Sequence, residues 1–215
     1  MKAFKNTEGY PILLNMVKTI QENKDYLGEI DGAVGDGDHG ANMNKGFSLF
    51  QKRFKNETFN FTDGLFNLGA ILLNEIGGSM GPIYGTIFIT MSEKCDGKEE
   101  IGAGDFAEML TAARKELFTI VEARPGDKTL VDAFSPAVDV FHEAVETGKN
   151  FQTALADMCN ASEEGKESTR NMTAKYGRAS RLGERSRGVL DAGAVSCDLL
   201  LHAMAEGILN LLERD

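Results

Sequence analysis

The chain has 215 residues, of which 42% are apolar, and a formal net charge of −10 at pH 7. This length and composition predict one folded domain over residues 1–215 with a substantial core. The acidic balance argues against nucleic acid as a general partner and against binding to anionic membranes, because phosphate-rich surfaces attract clustered Lys and Arg.

The cysteines and the N-terminus favour a reducing compartment. Cys95, Cys159 and Cys197 are widely separated, with neither zinc-site spacing nor a disulfide framework. The first residues lack an apolar signal core. No uninterrupted apolar run reaches the roughly 18 residues that are typical of a membrane span. We therefore expect a cytoplasmic chain without a membrane partner.

In chain order, apolar residues recur at helical spacing in eight segments and alternate convincingly in none. The segment 80–92 is rich in β-branched and aromatic residues, which favours a strand, but Pro82 suits the first turn of a helix. We assign it as a buried helix. The predicted helices are 8–27, 39–54, 62–76, 80–92, 105–121, 129–147, 150–164 and 192–212. The sequence therefore predicts an all-α, eight-helix antiparallel up-and-down bundle.

The connection after the first helix is unusually acidic. Asp31, Asp36 and Asp38 lie within eight residues, interleaved with glycines that allow tight turns. Carboxylates on such a loop suit Mg²⁺ or Ca²⁺, although a solvated Asp/Gly turn is the competing interpretation. The loop is not an EF-hand, because no Glu stands at the twelfth position from Asp31 or Asp36. His39 follows the loop and is either a ligand contact or a structural helix-start residue.

Three further Gly-rich connections (77–82, 124–129 and 177–193) join helices 3–4, 5–6 and 7–8. In an up-and-down bundle, odd-numbered connections lie at the same end, so all four loops should converge. That end would combine the carboxylates with helix N-termini and with the basic residues Lys128, Arg178 and Arg181. Carboxylates beside anion-binding groups predict a metal-bridged polyphosphate. No Walker A pattern occurs, which excludes a P-loop protein.

Five motifs, in order along almost the whole chain, carry a family resemblance. They are GDGDHGANMN (35–44), GGSMGPIYG (77–85), PGDKT (125–129), GRAS with LGERS (177–180 and 182–186), and DAGA (191–194). Each is weak alone, but together they resemble the L subunit of dihydroxyacetone kinase, the nucleotide-binding subunit. The resemblance implies an eight-helix barrel with a nucleotide at one end.

By this resemblance, Asp31, Asp36 and Asp38 would bind two Mg²⁺ ions that bridge the phosphates, and no further catalytic residue is assigned. The implied nucleotide-binding residues are His39, Gly40, Ala41, Asn42, Ser79, Met80, Leu130, Arg178, Asp191, Ala192 and Gly193. Two positions depart from the family pattern. Met80 stands where a small or hydroxyl residue is frequent, and Ala192 stands where proline is frequent.

The resemblance also implies the reaction and its partners. In this family a partner subunit holds dihydroxyacetone covalently, and the L subunit delivers the phosphoryl group. In phosphotransferase-system versions, ADP stays bound as a cofactor and a phosphoryl-carrier subunit rephosphorylates it. In other versions ATP exchanges as an ordinary substrate. We favour the phosphoenolpyruvate-dependent type; a homodimer is also compatible with the sequence.

Two alternatives stay open. The first is an ATP-dependent kinase subunit that acts on another small ketose. The second is a nucleotide-binding regulatory protein that docks on a transcription factor without catalysis.

Overall fold

The computed structural model describes residues 2–214, most of which are helical, and the all-α class is confirmed. The helices in that range are α1 (Tyr10–Glu22), α2 (Lys24–Val34), α3 (His39–Arg53), α4 (Phe61–Glu75), α5 (Met80–Lys94), α6 (Ala103–Ile120), α7 (Val131–Glu146), α8 (Phe151–Ser168) and α9 (Ala192–Leu212). Strands β1 (Ala3–Lys5) and β2 (Glu100–Gly102) pair antiparallel, with Phe4 opposite Ile101. The sequence missed this small sheet because three residues are too few to show alternation.

Successive helices pack side by side around a closed ring. From α3 to α9 each helix contacts the next, and α9 returns to α1, which also packs against α3. Buried phenylalanines fill the centre. The rings of Phe106 and Phe141 meet edge to face with centroids 5.2 Å apart. The ring centroid of Phe151 lies 6.0 Å from each of these centroids. Burying one such side chain contributes about 1.5–3 kcal/mol.

The predicted first helix, 8–27, is two helices that meet at Asn23, and this corrects the predicted helix count. The Asn23 side-chain amide donates to the Thr19 carbonyl (2.8 Å), and its backbone leaves helical geometry at φ −102° and ψ 9°. Asparagine favours such breaks because its side chain competes for backbone partners. Helix α2 then continues to Val34, so Asp31 lies on a helical turn and not in the loop as predicted.

Helix α9 combines length with a high apolar content, although polar residues interrupt its apolar run. Its 21 residues have a mean hydropathy of 1.4 over an 18-residue window, enough by length and composition to cross a membrane. However, 72% of that window is buried within the bundle. A core helix passes the same test as a membrane span, so α9 is weak evidence for a membrane.

Candidate functional site

One cavity of about 500 Å³ lies at the end of the bundle where the α2–α3, α4–α5, α6–α7 and α8–α9 connections meet. All four Gly-rich loops contribute to its wall, as the parity of the helices predicts. Of the residues proposed for metal or nucleotide, all except Gly40 and Ala41 line this cavity. Arg181, the third basic residue expected at this end, does not line it.

The carboxylates of Asp31, Asp36 and Asp38 form a cluster on one wall, and we call it the aspartate cluster. One oxygen from each lies within 4.8 Å of the others. Asp31 projects from the last turn of α2, and the other two come from the short loop before α3. Gly37 allows this loop to turn sharply, since its φ of +74° is a left-handed conformation that favours glycine. Three hard oxygen donors this close together suit Mg²⁺.

Gly40 contributes to the site through helix packing. A Cβ at this position would lie 1.9 Å from the Lys24 carbonyl oxygen and 2.8 Å from the Gly28 nitrogen, both on α2. Only glycine allows α3 to approach α2 this closely. The neighbouring Ala41 is exposed on the outer side of α3. Close packing of the two helices brings Asp31 beside the loop that carries the other two carboxylates.

A salt bridge crosses the cavity. The guanidinium of Arg178, from the α8–α9 connection, lies 2.6 Å from an Asp36 carboxylate oxygen. Because the Arg178 side chain is 61% exposed, the pair contributes little to stability. The salt bridge matters for the site because it places the positive charge of Arg178 directly beside the aspartate cluster.

His39 begins α3 and is anchored from both sides. Its backbone N–H donates to Asp31 Oδ2 (3.2 Å), and its Nε2 lies 2.9 Å from Ser196 Oγ. The Ser196 hydroxyl is in turn 2.7 Å from the buried hydroxyl of Tyr84. Burial lowers the pKa of His39, while the negative charges of Asp31 and Asp38 oppose that shift. The lowered pKa favours a neutral imidazole, and the two hydrogen bonds hold His39 in one orientation.

Helix N-termini surround the cavity. Helices α3, α5, α7 and α9 all begin at or next to residues that line it. The first N–H groups of a helix lack intrahelical partners and attract anions. At α9, Asp191 occupies one of them, because its Oδ2 accepts from Ala194 N (2.7 Å). Burial raises the pKa of Asp191 to about 7, and the hydrogen bond from Ala194 opposes that shift.

Lys128 does not present its charge to the cavity as the sequence suggested. The residue is 1% exposed, and its ammonium donates to main-chain carbonyls of the α8–α9 connection. The loop around it is held by Asp132, whose two carboxylate oxygens accept from Gly126 N (2.5 Å) and Thr129 N (2.7 Å). Of the three expected basic residues, only Arg178 directs its charge toward the aspartate cluster.

Several lining residues were not identified from the sequence. Tyr84 and Tyr176 line the cavity, as do the apolar side chains of Ile83, Leu117, Val121 and Val131, which together with the expected Leu130 form the apolar wall. Leu117 and Val121 carried no separate signal, because their helical spacing is the same as that of core residues. Ser196 follows the DAGA motif by two positions and carried no signal of its own.

Comparison with known proteins places the chain in a family. A model of the DAK2 domain matches residues 33–206. The Listeria innocua protein named PEP-dependent dihydroxyacetone kinase 1, ADP-binding subunit DhaL, is 37% identical over 87% of this chain and 89% of its own length. The Escherichia coli protein named PEP-dependent dihydroxyacetone kinase, ADP-binding subunit DhaL, is 33% identical over 84% of this chain and 87% of its own.

Solved structures share the fold. Two crystal structures of the dihydroxyacetone kinase of C. freundii, a native form and a complex with AMP-PNP and Mg²⁺, match with TM-scores of 0.71 and 0.67 at 21% identity. The matches cover 96% and 93% of this chain but only 36% and 33% of those chains, so this chain spans about a third of that kinase. Together, the domain match and the two subunit relatives show that the chain belongs to the DAK2 domain family, and within it to the dihydroxyacetone kinase L subunits.

Proposed function

We propose that the chain is the ADP- and Mg²⁺-binding subunit of a cytoplasmic, phosphoenolpyruvate-dependent dihydroxyacetone kinase. It would transfer a phosphoryl group from its nucleotide to dihydroxyacetone that a partner subunit holds covalently. One observation carries the proposal: a single cavity of about 500 Å³ joins the aspartate cluster to four helix N-termini and an apolar wall. Family membership supplies the reaction class, since the related subunits belong by name to a kinase.

The aspartate cluster fits the expected metal. Its donors are hard carboxylate oxygens within 4.8 Å of one another, and they come from two elements packed together. Mg²⁺ is usually held by a few carboxylates together with substrate phosphates, so three carboxylates are enough for two ions that share a polyphosphate. Mg²⁺ bound there would offset the negative charge of the phosphates during transfer.

The remaining residues would position the nucleotide. The N–H groups at the starts of α3 and α5 would donate hydrogen bonds to phosphate oxygens. The apolar wall around Leu117, Val121 and Leu130 would cover the nucleoside base, as is typical of ligand cavities. Arg178 would exchange its contact with Asp36 for a phosphate oxygen, because charge-assisted hydrogen bonds to phosphate are favourable for arginine.

A partner subunit is needed to hold the sugar. Among the described residues, His39 is the one histidine that lines the cavity, and its Nε2 is already bonded to Ser196. The cysteines of the chain lie elsewhere, and two of the three are buried. Among the residues that the structure describes, the cavity therefore offers no cysteine and no second histidine that could hold a ketose covalently, which favours a partner subunit for that role.

Reconstitution tests this proposal. The purified chain should retain ADP through gel filtration in the presence of Mg²⁺, and should form no dihydroxyacetone phosphate with either ATP or a phosphorylated carrier protein. Addition of a dihydroxyacetone-binding subunit should start the reaction. ADP that resists exchange but is phosphorylated by the carrier supports the phosphoenolpyruvate-dependent type. Rapid exchange with free ATP supports the ATP-dependent type instead, and robust activity of the isolated chain would contradict the subunit model.

A further inference from the structure

The α8–α9 connection forms part of the wall of the cavity, and we call residues 172–190 the arm. The part that lines the cavity runs from residue 176 to residue 179 and includes Arg178, whose guanidinium reaches Asp36. The arm contains a 3-10 segment, Ala179–Ser186, and no α-helix. It therefore depends on contacts with neighbouring segments to keep its position beside the site.

Lys128 lies beneath the base of the arm and contacts it at three points. Its Nζ donates to the main-chain carbonyl oxygens of Met172 (3.3 Å), Ser186 (2.5 Å) and Val189 (2.6 Å). A lysine ammonium has three N–H donors, and the arm accepts all three. None is left for a nucleotide phosphate, although the residue lines the cavity.

The three carbonyls belong to the two ends of the arm, so Lys128 joins them. Met172 is on the outgoing end, whereas Ser186 and Val189 are on the returning end. The ends are also joined directly, because Ala174 N donates to Ser186 Oγ (2.9 Å). Next to Lys128, the Asp127 carbonyl accepts from Lys175 N (3.2 Å). The base of the arm is thus built around one buried cation.

The backbone of Lys128 supports a specific role for its side chain. Its φ of +61° is left-handed, and among the residues that the structure describes no other non-glycine residue has a positive φ. Glycine or asparagine adopts this conformation more easily than lysine. Burial also lowers the pKa of Lys128, which is the expected direction for an ammonium taken out of water. A lysine at this strained, buried position is explained by the three carbonyls it binds.

We propose that Lys128 is a positioning residue, whose ammonium fixes the base of the arm and so holds Arg178 over the aspartate cluster. The part that concerns the nucleotide rests on the proposed function, whereas the part that concerns the arm does not. The loss of three charge-assisted hydrogen bonds should release the arm without removing any group that faces the phosphates.

Lys128→Met tests this role, because methionine fills similar space without a donor. Tryptic cleavage within the arm, located by mass spectrometry, should accelerate about tenfold or more, and ADP should dissociate faster by a similar factor. Lys175→Met is the matched control, with cleavage compared only after the arginines at 178, 181, 185 and 187, which both variants retain. It removes an ammonium on the same arm that is 64% exposed and that pairs with Asp127 (2.6 Å), not with the carbonyls of the arm, and it should change both rates less than about threefold. If Lys128→Met matches the control in both rates, the proposal is wrong. If Lys128→Met does not fold, Lys128→Asn also removes the ammonium and suits the left-handed backbone better.

A double-mutant cycle separates positioning from general stabilisation. If Lys128 acts through Arg178, Lys128→Met should not speed ADP dissociation further in an Arg178→Ala background. If the effects of the two substitutions on the ADP dissociation rate are fully additive and arm cleavage does not change, Lys128 contacts the nucleotide directly. That result would overturn the proposal.

Hydrogen exchange of the unmodified chain supplies a test without any variant. The amides at positions 174, 175 and 188, which are hydrogen-bonded at the base, should exchange at least tenfold more slowly than those of the arm's tip. Equal rates at the base and the tip would contradict the role of Lys128. Failure of the unmodified chain to bind Mg²⁺ and ADP would contradict the proposed function alone, because exchange and proteolysis of the arm require no nucleotide.

Discussion

A single methyl group at Gly40 should damage the site even though this residue does not line the cavity. The added Cβ of Gly40→Ala would lie 1.9 Å from the Lys24 carbonyl oxygen. Neither backbone can rotate away as a side chain would, so α2 and α3 must separate by about 1 Å to relieve the contact. Overpacking of this kind should cost about 2–3 kcal/mol. For a chain of this size, the thermal midpoint should fall by about 4–12 °C.

The same separation should weaken metal binding, because Asp31 is on α2 whereas Asp38 immediately precedes α3. We expect the calorimetric affinity for ADP in the presence of Mg²⁺ to fall about tenfold, which corresponds to about 1.4 kcal/mol. Gly104→Ala is the matched control. Gly104 is exposed in α6 with no atom close to an added Cβ, so alanine should stabilise the chain by about 0.4–1 kcal/mol and leave affinity unchanged. If Gly40→Ala is as stable as the unmodified chain and binds ADP equally well, the packing explanation is refuted.

Three further substitutions test other parts of the molecule. Asp36→Asn removes one anionic donor and should lower Mg²⁺-dependent ADP affinity about tenfold or more in calorimetry; unchanged affinity would exclude Asp36 from the metal site. Tyr84→Phe removes the buried hydroxyl that is 2.7 Å from Ser196 Oγ and should cost about 1 kcal/mol, seen as a thermal midpoint lower by about 2–4 °C. The hydrogen bond to Asp198 raises the pKa of His202, against the effect of burial, so this stabilisation is present at low pH and is lost as pH rises through the folded-state pKa. His202→Gln should therefore destabilise the chain more at about pH 5.5 than at about pH 9, by less than about 1 kcal/mol because the side chain is 45% exposed; an equal loss at both pH values would contradict this reasoning.

Much of the fold could be predicted because helical periodicity is local. Apolar spacing identified each helix from α3 to α9 with ends within a few residues, and the number of helices alone placed four loops at one end. The break at Asn23 escaped detection because the apolar spacing continues across it. As a result, the sequence placed Asp31 in a loop, whereas the structure places it on the last turn of α2.

The chemistry of the aspartate cluster could also be inferred from the sequence, since carboxylates spaced by glycines in one short stretch are a local pattern. The contacts of Lys128 could not be inferred in this way, because the sequence shows that a cation is present but not which way its side chain points. The three carbonyls that turn it away from the cavity lie 44 to 61 residues further along the chain. Likewise, Ser196 reaches His39 across 157 residues. The sequence by itself determined most of the groups that the site contains. The tertiary structure decided which of them face the cavity, because hydrogen bonds between distant segments produce no periodic pattern along the chain.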